Sequence, residues 1–237
     1  MLVVLDAGHG GHDPGAVGNG FTEKERALTL TNYVDAELKS RGIRTLLTRD
    51  NDTFVSLSGR ANIANRNKAT IFVSFHLNAA TPSANGYESF TYTKVDAKTK
   101  RLQDLLHNGA MAVLRKYGIK DRGKKQANLA VVRETTMPAV LTENGFISNA
   151  NDMKHIGDNN VLKELGKAYA DAIATYLGVN AVANKEEKQT STEQEVLKQT
   201  QIGVATVKVS ELNVRQGPGT QYGVVKKVYK NESYKVF

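Results

Sequence analysis

The chain contains no cysteine, which excludes disulfide staples, thiolate zinc sites and a thiol nucleophile. Any bound metal must therefore take nitrogen and oxygen ligands. Long apolar runs are missing as well, so nothing approaches a membrane span and no membrane insertion is expected. The N-terminus runs straight into Leu2-Val-Val-Leu5 without a basic leader, so no secretory signal peptide is expected. Synthesis in the cytoplasm is expected, and any export must take another route. There is no recognisable nucleic-acid motif and no aromatic stacking strip, so nucleic acid is not an expected partner.

What is present suits a globular chain: 237 residues with 40% hydrophobic content, enough for one sizeable domain and a small second one. The net charge of +8 favours a polyanionic partner, whether nucleic acid, an anionic membrane or an anionic cell-wall polymer, and charge alone does not choose among them. The positive excess is densest over 204–237, with 6 basic and 2 acidic side chains. Elsewhere basic and acidic residues are interspersed, as on a solvated surface. A monomer is the expected state.

Strands and helices alternate. After a strand up to Leu5 and a glycine-rich loop, Ala27, Leu30, Val34 and Leu38 fall at helical spacing and Gly42 follows as a stop. Strands are expected over 43–47, 71–75, 86–92, 129–133 and 139–142, and helices over 56–67, 97–117 and 161–177. This order implies an α/β fold: an open, mostly parallel mixed sheet of about six strands flanked by helices. Ligands of such sheets sit beyond the carboxyl ends of the strands. Composition changes after Gly178. Residues 1–179 read as one domain and 180–203 as a polar linker. Residues 204–237 read as a partial small β module, with turn punctuation at Gly217-Pro-Gly219.

Several polar residues stand where apolar runs stop. His9 follows the first strand, Glu23 the glycine-rich loop, His76 the run Ile71-Phe-Val-Ser-Phe75, and Glu143 the run Ala139-Val-Leu-Thr142. Two imidazoles and one carboxylate make a common catalytic zinc set, and a second carboxylate can carry protons. Taken singly, each has a plainer explanation. A histidine at a strand end is more often a hydrogen-bonding or surface residue than a ligand, and Glu23 lies in a charged run at a helix start. His12 is expected to remain a loop residue, and His107 and His155 to be structural. Arg49 and Arg60 suit scaffold ion pairing better than substrate contact. Asn78 suits either a strand-end turn or a hydrogen bond near the site.

Taken together, these segments resemble the zinc-dependent N-acetylmuramoyl-L-alanine amidases of the amidase-3 type. The resemblance spans about 1–178. Leu5-Asp-Ala-Gly-His9-Gly-Gly-His-Asp-Pro-Gly-Ala16 is similar to that family's first zinc histidine segment, and Thr22-Glu23-Lys24 to its zinc glutamate. Ser74-Phe-His76-Leu-Asn78-Ala79 resembles the second zinc histidine segment, and Met137-Pro-Ala-Val-Leu-Thr-Glu143-Asn-Gly-Phe-Ile-Ser-Asn149 the segment of the catalytic glutamate. Thr48-Arg49 and Arg60-Ala-Asn62 resemble further signatures. The resemblance implies a peptidoglycan hydrolase that cleaves the amide between N-acetylmuramic acid and L-alanine. It further implies one zinc ion on His9, Glu23 and His76, Glu143 as general acid-base, and a wall-lytic role of the endolysin or autolysin kind. Leu212-Asn-Val-Arg215 and Gly217-Pro-Gly219 resemble the first half of a bacterial Src-homology-like wall-binding domain. Loops over 79–86 and 120–128 are expected to shape the stem-peptide pocket. Two rivals stay open: a zinc carboxypeptidase, which would need an arginine for a terminal carboxylate, and a noncatalytic wall-binding protein. Another divalent ion in place of zinc is also open.

Overall fold

Alternating apolar residues build the centre of the molecule, because every second side chain of a strand faces the same layer. The computed structural model describes residues 1–179 and four further strands within 203–236. In chain order the first part holds β1 (Leu2–Ala7), β2 (Val17–Gly18), β3 (Phe21–Thr22), α1 (Glu23–Ser40), β4 (Arg44–Leu47), α2 (Leu57–Arg66) and β5 (Ile71–Asn78). There follow β6 (Tyr87–Thr91), α3 (Ala97–Leu114) with a 3-10 turn at Arg115–Tyr117, β7 (Asp121–Gln126), α4 (Ala130–Arg133), β8 (Ala139–Phe146), α5 (Ala150–Ile156) and α6 (Asn159–Leu177). Six strands form one sheet in the order β4-β1-β5-β8-β6-β7. The first four are mutually parallel, β6 runs antiparallel to β8, and β7 parallel to β6. This is the mixed, helix-flanked sheet expected from the sequence.

The two faces of the sheet differ. Val3 and Leu5 of β1, Ile71, Val73, Phe75 and Leu77 of β5, and Val140 of β8 pack with residues such as Leu30 of α1, Leu106 of α3 and Leu165 of α6. Val4, Phe72, Ala139 and Leu141 point the other way, onto Ala64 of α2 and Val131 and Val132 of α4. By the same alternation Asp6, Ser74, His76, Glu88 and Glu143 belong to this second face. There the helical cover is the short pair α2 and α4, so the polar row is left room for a site.

The structure corrects one strand and supplies another. The strand expected over 129–133 is a helical turn, α4. Backbone N–H groups of Arg133 and Glu134 donate to the carbonyls of Leu129 and Ala130 at 2.9 Å each, and the Thr135 hydroxyl donates to the Val131 carbonyl at 2.9 Å. The adjacent Val131 and Val132 are both buried, which one turn of helix allows and a one-faced strand does not. The sheet position beside β6 goes instead to β7. Its sequence Asp-Arg-Gly-Lys-Lys-Gln has no apolar residue and reads as loop, but charge is what protects an edge strand from further pairing. β5 also runs two residues past His76 and β8 three past Glu143, ending at Asn78 and Phe146. Both side chains therefore project from within strands, not from beyond them.

The chain divides into two units, Met1–Ala183 and Asn184–Phe237. In the second, β9 (Gly203–Thr206) pairs antiparallel with β12 (Ser233–Val236), and β10 (Glu211–Arg215) with β11 (Val224–Tyr229). Of the expected linker over 180–203 only Gly203 is described, as the first residue of β9, and the Gly217-Pro-Gly219 turn lies outside the described residues. No described helix is long and apolar enough to cross a membrane.

Candidate active site

The loop after β1 turns sharply to aim His9 back over the sheet. His9 itself has φ 60°, a left-handed conformation that costs a non-glycine residue about 1–3 kcal/mol unless its surroundings hold it. Several contacts do so. Gly10 and Asp13 exchange backbone hydrogen bonds at 2.9 and 3.1 Å, Arg60 Nη2 donates to the His9 carbonyl at 2.6 Å, and Asp13 Oδ2 lies 2.8 Å from His9 Nδ1. With Nδ1 tied to Asp13, Nε2 is the nitrogen free to face the site. Two glycines are required by close approach. A Cβ at Gly8 would lie 2.3 Å from His76 Cε1, and one at Gly15, where φ is +64°, would lie 2.6 Å from His9 Cδ2 and 2.7 Å from Glu23 Oε2.

Below this loop lies a buried ion pair. Arg60 Nη1 donates to Asp6 Oδ1 at 2.9 Å, with the two side chains 3% and 0% exposed. Ser74 Oγ donates to Asp6 Oδ2 at 2.6 Å. Arg49 donates to the carbonyls of Ala7, Gly8, Lys24 and Asn51. Both arginines thus serve the scaffold, holding the backbone on either side of His9.

Glu23, the first residue of α1, brings a carboxylate to the same point. Its Oε1 lies 3.0 Å from His9 Nε2 and 2.9 Å from His76 Nδ1, and accepts from the Leu77 N–H at 3.1 Å. Its Oε2 accepts from the Ala16 N–H at 2.9 Å. The donor atoms of His9, Glu23 and His76 all lie within 4.8 Å of one another. Burial pushes the Glu23 carboxyl up, but the hydrogen bonds and charges of His76 and His9 outweigh it and hold the group well below the usual carboxylate range. His9 shows the reciprocal effect. Burial lowers it, and Glu23 and Asp13 raise it above its ordinary value.

Glu143 lies beside this cluster in the opposite condition. It is the register partner of His76 across β5 and β8, and its Oε2 is buried without a hydrogen-bond partner among the described residues. Burial first, and then the charges of Glu23 and Glu88, push its carboxyl well above the ordinary range. An orphaned buried acceptor beside three convergent ligands is what a site awaiting a cation and substrate requires. The donor set itself, two imidazole nitrogens and one carboxylate, is of the kind that holds zinc.

Three features escape sequence reasoning. Asp13 fixes the His9 ring, and its only signal is its place four residues after the histidine. Glu88 is the register partner of Glu143 across β6 and β8. Its carboxylate accepts from Asn78 at 2.7 Å, from Arg122 Nε at 2.8 Å and from Lys125. A charged residue inside the buried strand Tyr87–Thr91 was the available signal. Asn78 therefore makes a hydrogen bond near the site as well as one to the Ala79 N–H. Third, buried Asn144 donates to the His76 carbonyl at 3.0 Å and accepts from the Tyr169 hydroxyl at 2.6 Å, tying the His76 strand to α6. The other histidines stand apart: His12 stacks on Phe54, His155 lies near Tyr117, and His107 sits between Ser89 and Asp121 on the α3 face.

Known proteins are similar to this chain in sequence and fold. Residues 3–175 match the family model Amidase_3, described as N-acetylmuramoyl-L-alanine amidase. The chain is 43% identical over 198 residues to an endolysin of Bacillus phage SPP1, covering 80% of this chain and 73% of that protein. It is 38% identical over 177 residues to the sporulation-specific N-acetylmuramoyl-L-alanine amidase of Bacillus subtilis (strain 168), covering 73% and 67%. Among solved structures, the catalytic domain of CwlV, an N-acetylmuramoyl-L-alanine amidase from Bacillus (Paenibacillus) polymyxa var. colistinus, superposes with a TM-score of 0.70. The two are 36% identical, and the match covers 75% of this chain and 98% of that one.

Proposed function

This chain belongs to the Amidase_3 family of N-acetylmuramoyl-L-alanine amidases, and from that premise we propose that it cleaves its amide with one zinc ion on His9, Glu23 and His76 and with Glu143 as proton carrier. The observation that carries the reading is the contrast at one point of the sheet. His9 Nε2 and His76 Nδ1 converge on Glu23 Oε1 at 3.0 and 2.9 Å, while Glu143 Oε2 next to them has no partner.

The bond to be cut joins the lactyl carbonyl of N-acetylmuramic acid to the nitrogen of L-alanine in peptidoglycan. Zinc, when bound, supplies the Lewis acidity that polarises such a carbonyl and makes water nucleophilic near neutral pH. The remaining work falls to the chain. Asp13 keeps the His9 ring in one tautomer and orientation, and Asn144 holds the strand that carries His76. Glu143 takes the proton from the attacking water and passes it to the departing alanine nitrogen, a role worth about 10² to 10⁴-fold. A carboxyl raised by burial is suited to carry a proton near neutral pH, whereas Glu23, held ionised, is suited to remain a ligand.

The wider reading rests on the resemblance of Leu212-Asn-Val-Arg215 and Gly217-Pro-Gly219 to the first half of a wall-binding domain and on the positive charge of that segment. Residues 204–237 act as a cell-wall-binding β module on a polar tether, with anionic wall polymers as partners, and the enzyme reaches the wall after release from the cell. Digestion of purified peptidoglycan tests the reaction. New L-alanine amino termini without new reducing sugar ends, abolished by a chelator and restored by zinc, are expected. Reducing ends without amino termini, or chelator-resistant cleavage, would overturn it.

A further inference from the structure

Beyond Glu143 the polar row of the second face continues to the edge of the sheet. His76, Glu143 and Glu88 are register partners across β5, β8 and β6. On β7 the register shifts between Tyr87 and Ser89, and the irregularity brings Arg122 opposite Glu88, where Nε donates to Glu88 Oε2 at 2.8 Å. Lys125 reaches the same oxygen. The neighbouring Asp121 and Lys124 turn to the other face, onto His107 and Asp104, and take no part. The row therefore ends in two cations against one carboxylate.

Arg122 is held in place but not used up. Its guanidinium lies 4.8 Å from the centre of the Phe146 ring, and Nη1 spends one hydrogen on the Asn85 carbonyl at 3.4 Å. Nη2 has no acceptor among the described residues, and the side chain is 32% exposed, whereas Glu88 behind it is 5% exposed. The Nη1–Nη2 end of the fork, the part that takes a carboxylate in two parallel hydrogen bonds, is free. The guanidinium reaches back from β7 over Glu88 to Phe146, three residues past Glu143 on β8, and at about 3.3 Å per strand residue this is about 10 Å from Glu143. An extended chain covers about 3.3–3.6 Å per residue, so this distance corresponds to two or three residues from the scissile amide.

Resting on the amidase reading above, the geometry points to Arg122 as the residue that binds a free carboxylate of the stem peptide, two or three residues beyond the scissile amide, with Glu88 as its positioning residue. The substrate so recognised is an acidic peptide that runs from the zinc ligands across β8 and β6 to the sheet edge, leaving the glycan on the β1 side. The distance also separates this contact from that of a carboxypeptidase, in which the bound carboxylate is next to the bond cut.

Kinetics with paired substrates test the assignment in the intact protein. One substrate is an N-acetylmuramoyl tripeptide with free carboxylates, and the other is the same tripeptide with every carboxylate converted to carboxamide. Wild type is expected to show a KM about tenfold lower for the acid than for the carboxamide, the worth of a charge-assisted hydrogen bond pair at a half-exposed site. Arg122→Gln should lose that preference through KM, with kcat much less affected, and Arg122→Lys should restore part of it. Glu88→Gln should weaken the preference in the same direction because the fork loses its anchor. The wild-type comparison needs no variant to fold, and thermal melting checks the variants. Equal KM values in wild type, or a preference that survives in Arg122→Gln, overturn the assignment while cleavage of both substrates leaves the amidase reading standing. No new alanine amino terminus from either substrate overturns both.

Discussion

The surroundings of Glu23 and of Glu143 meet on one face of one sheet, yet they treat the same side chain in opposite ways. Around Glu23 two ring nitrogens and two backbone N–H groups converge on the carboxylate, and the group is held ionised. Around Glu143 burial and two like charges work against ionisation, and one oxygen is left without a partner. The difference teaches that residue type does not assign a role here. A carboxylate wrapped in donors is fit to hold a cation, and one stripped of them is fit to carry a proton.

Replacing Glu143 by Gln should break this contrast with the largest effect, because the amide fills the same space but cannot exchange a proton. Turnover on peptidoglycan should fall by about 10² to 10⁴-fold, measured as alanine amino termini released per hour. Next in size is the support beneath the Glu23 side. Arg60→Leu leaves Asp6 buried and unpaired and should cost about 3–5 kcal/mol of stability, read from urea unfolding midpoints, because Asp6 is 0% exposed. A finer cut is Asp13→Asn, which leaves all three ligands but loosens the His9 ring. It should weaken zinc binding by about 10 to 100-fold in a chelator competition, and equal affinity would remove Asp13 from the account.

The smallest effect comes from the far face and shows what burial does to an imidazole that has one carboxylate beside it, where His9 has two. Burial holds His107 below its ordinary value, although Asp121 opposes this. The unfolded chain then takes up the proton first as pH falls through about 6.5. The contribution of His107 to stability is thus full above that pH and is lost as pH falls toward its folded value. Unfolding midpoints at pH 7.5 and 5.5 should differ less in His107→Gln than in wild type, and an equal difference would show that His107 does not titrate in this way.

Much of this arrangement is legible in the sequence, for particular reasons. His9, His76 and Glu143 stand out because each ends an apolar run, whereas Glu23, in a charged run after a glycine-rich loop, stands out only through the resemblance of Thr22-Glu23-Lys24; the structure brings all four to one point. The helix over Glu23–Ser40 is readable from Ala27, Leu30, Val34 and Leu38, whose spacing is that of one buried stripe. β7 is not readable. An edge strand made of Asp121-Arg-Gly-Lys-Lys-Gln126 has no apolar alternation to betray it, so the positions of Arg122 and Lys125 beside Glu88 depend on long-range pairing alone. α4 fails for the converse reason. Two adjacent valines look like a strand until tertiary packing buries both against α2 and β8.

The claim that Glu23 holds the metal while Glu143 moves the proton is tested most directly by zinc analysis of purified Glu23→Gln and Glu143→Gln beside wild type, with amidase turnover on the same samples. The account predicts one zinc per chain in wild type and in Glu143→Gln, turnover in wild type alone, and a Glu23→Gln protein that is folded but lacks its zinc. A Glu143→Gln protein without zinc, or a Glu23→Gln protein that keeps it, would contradict the account.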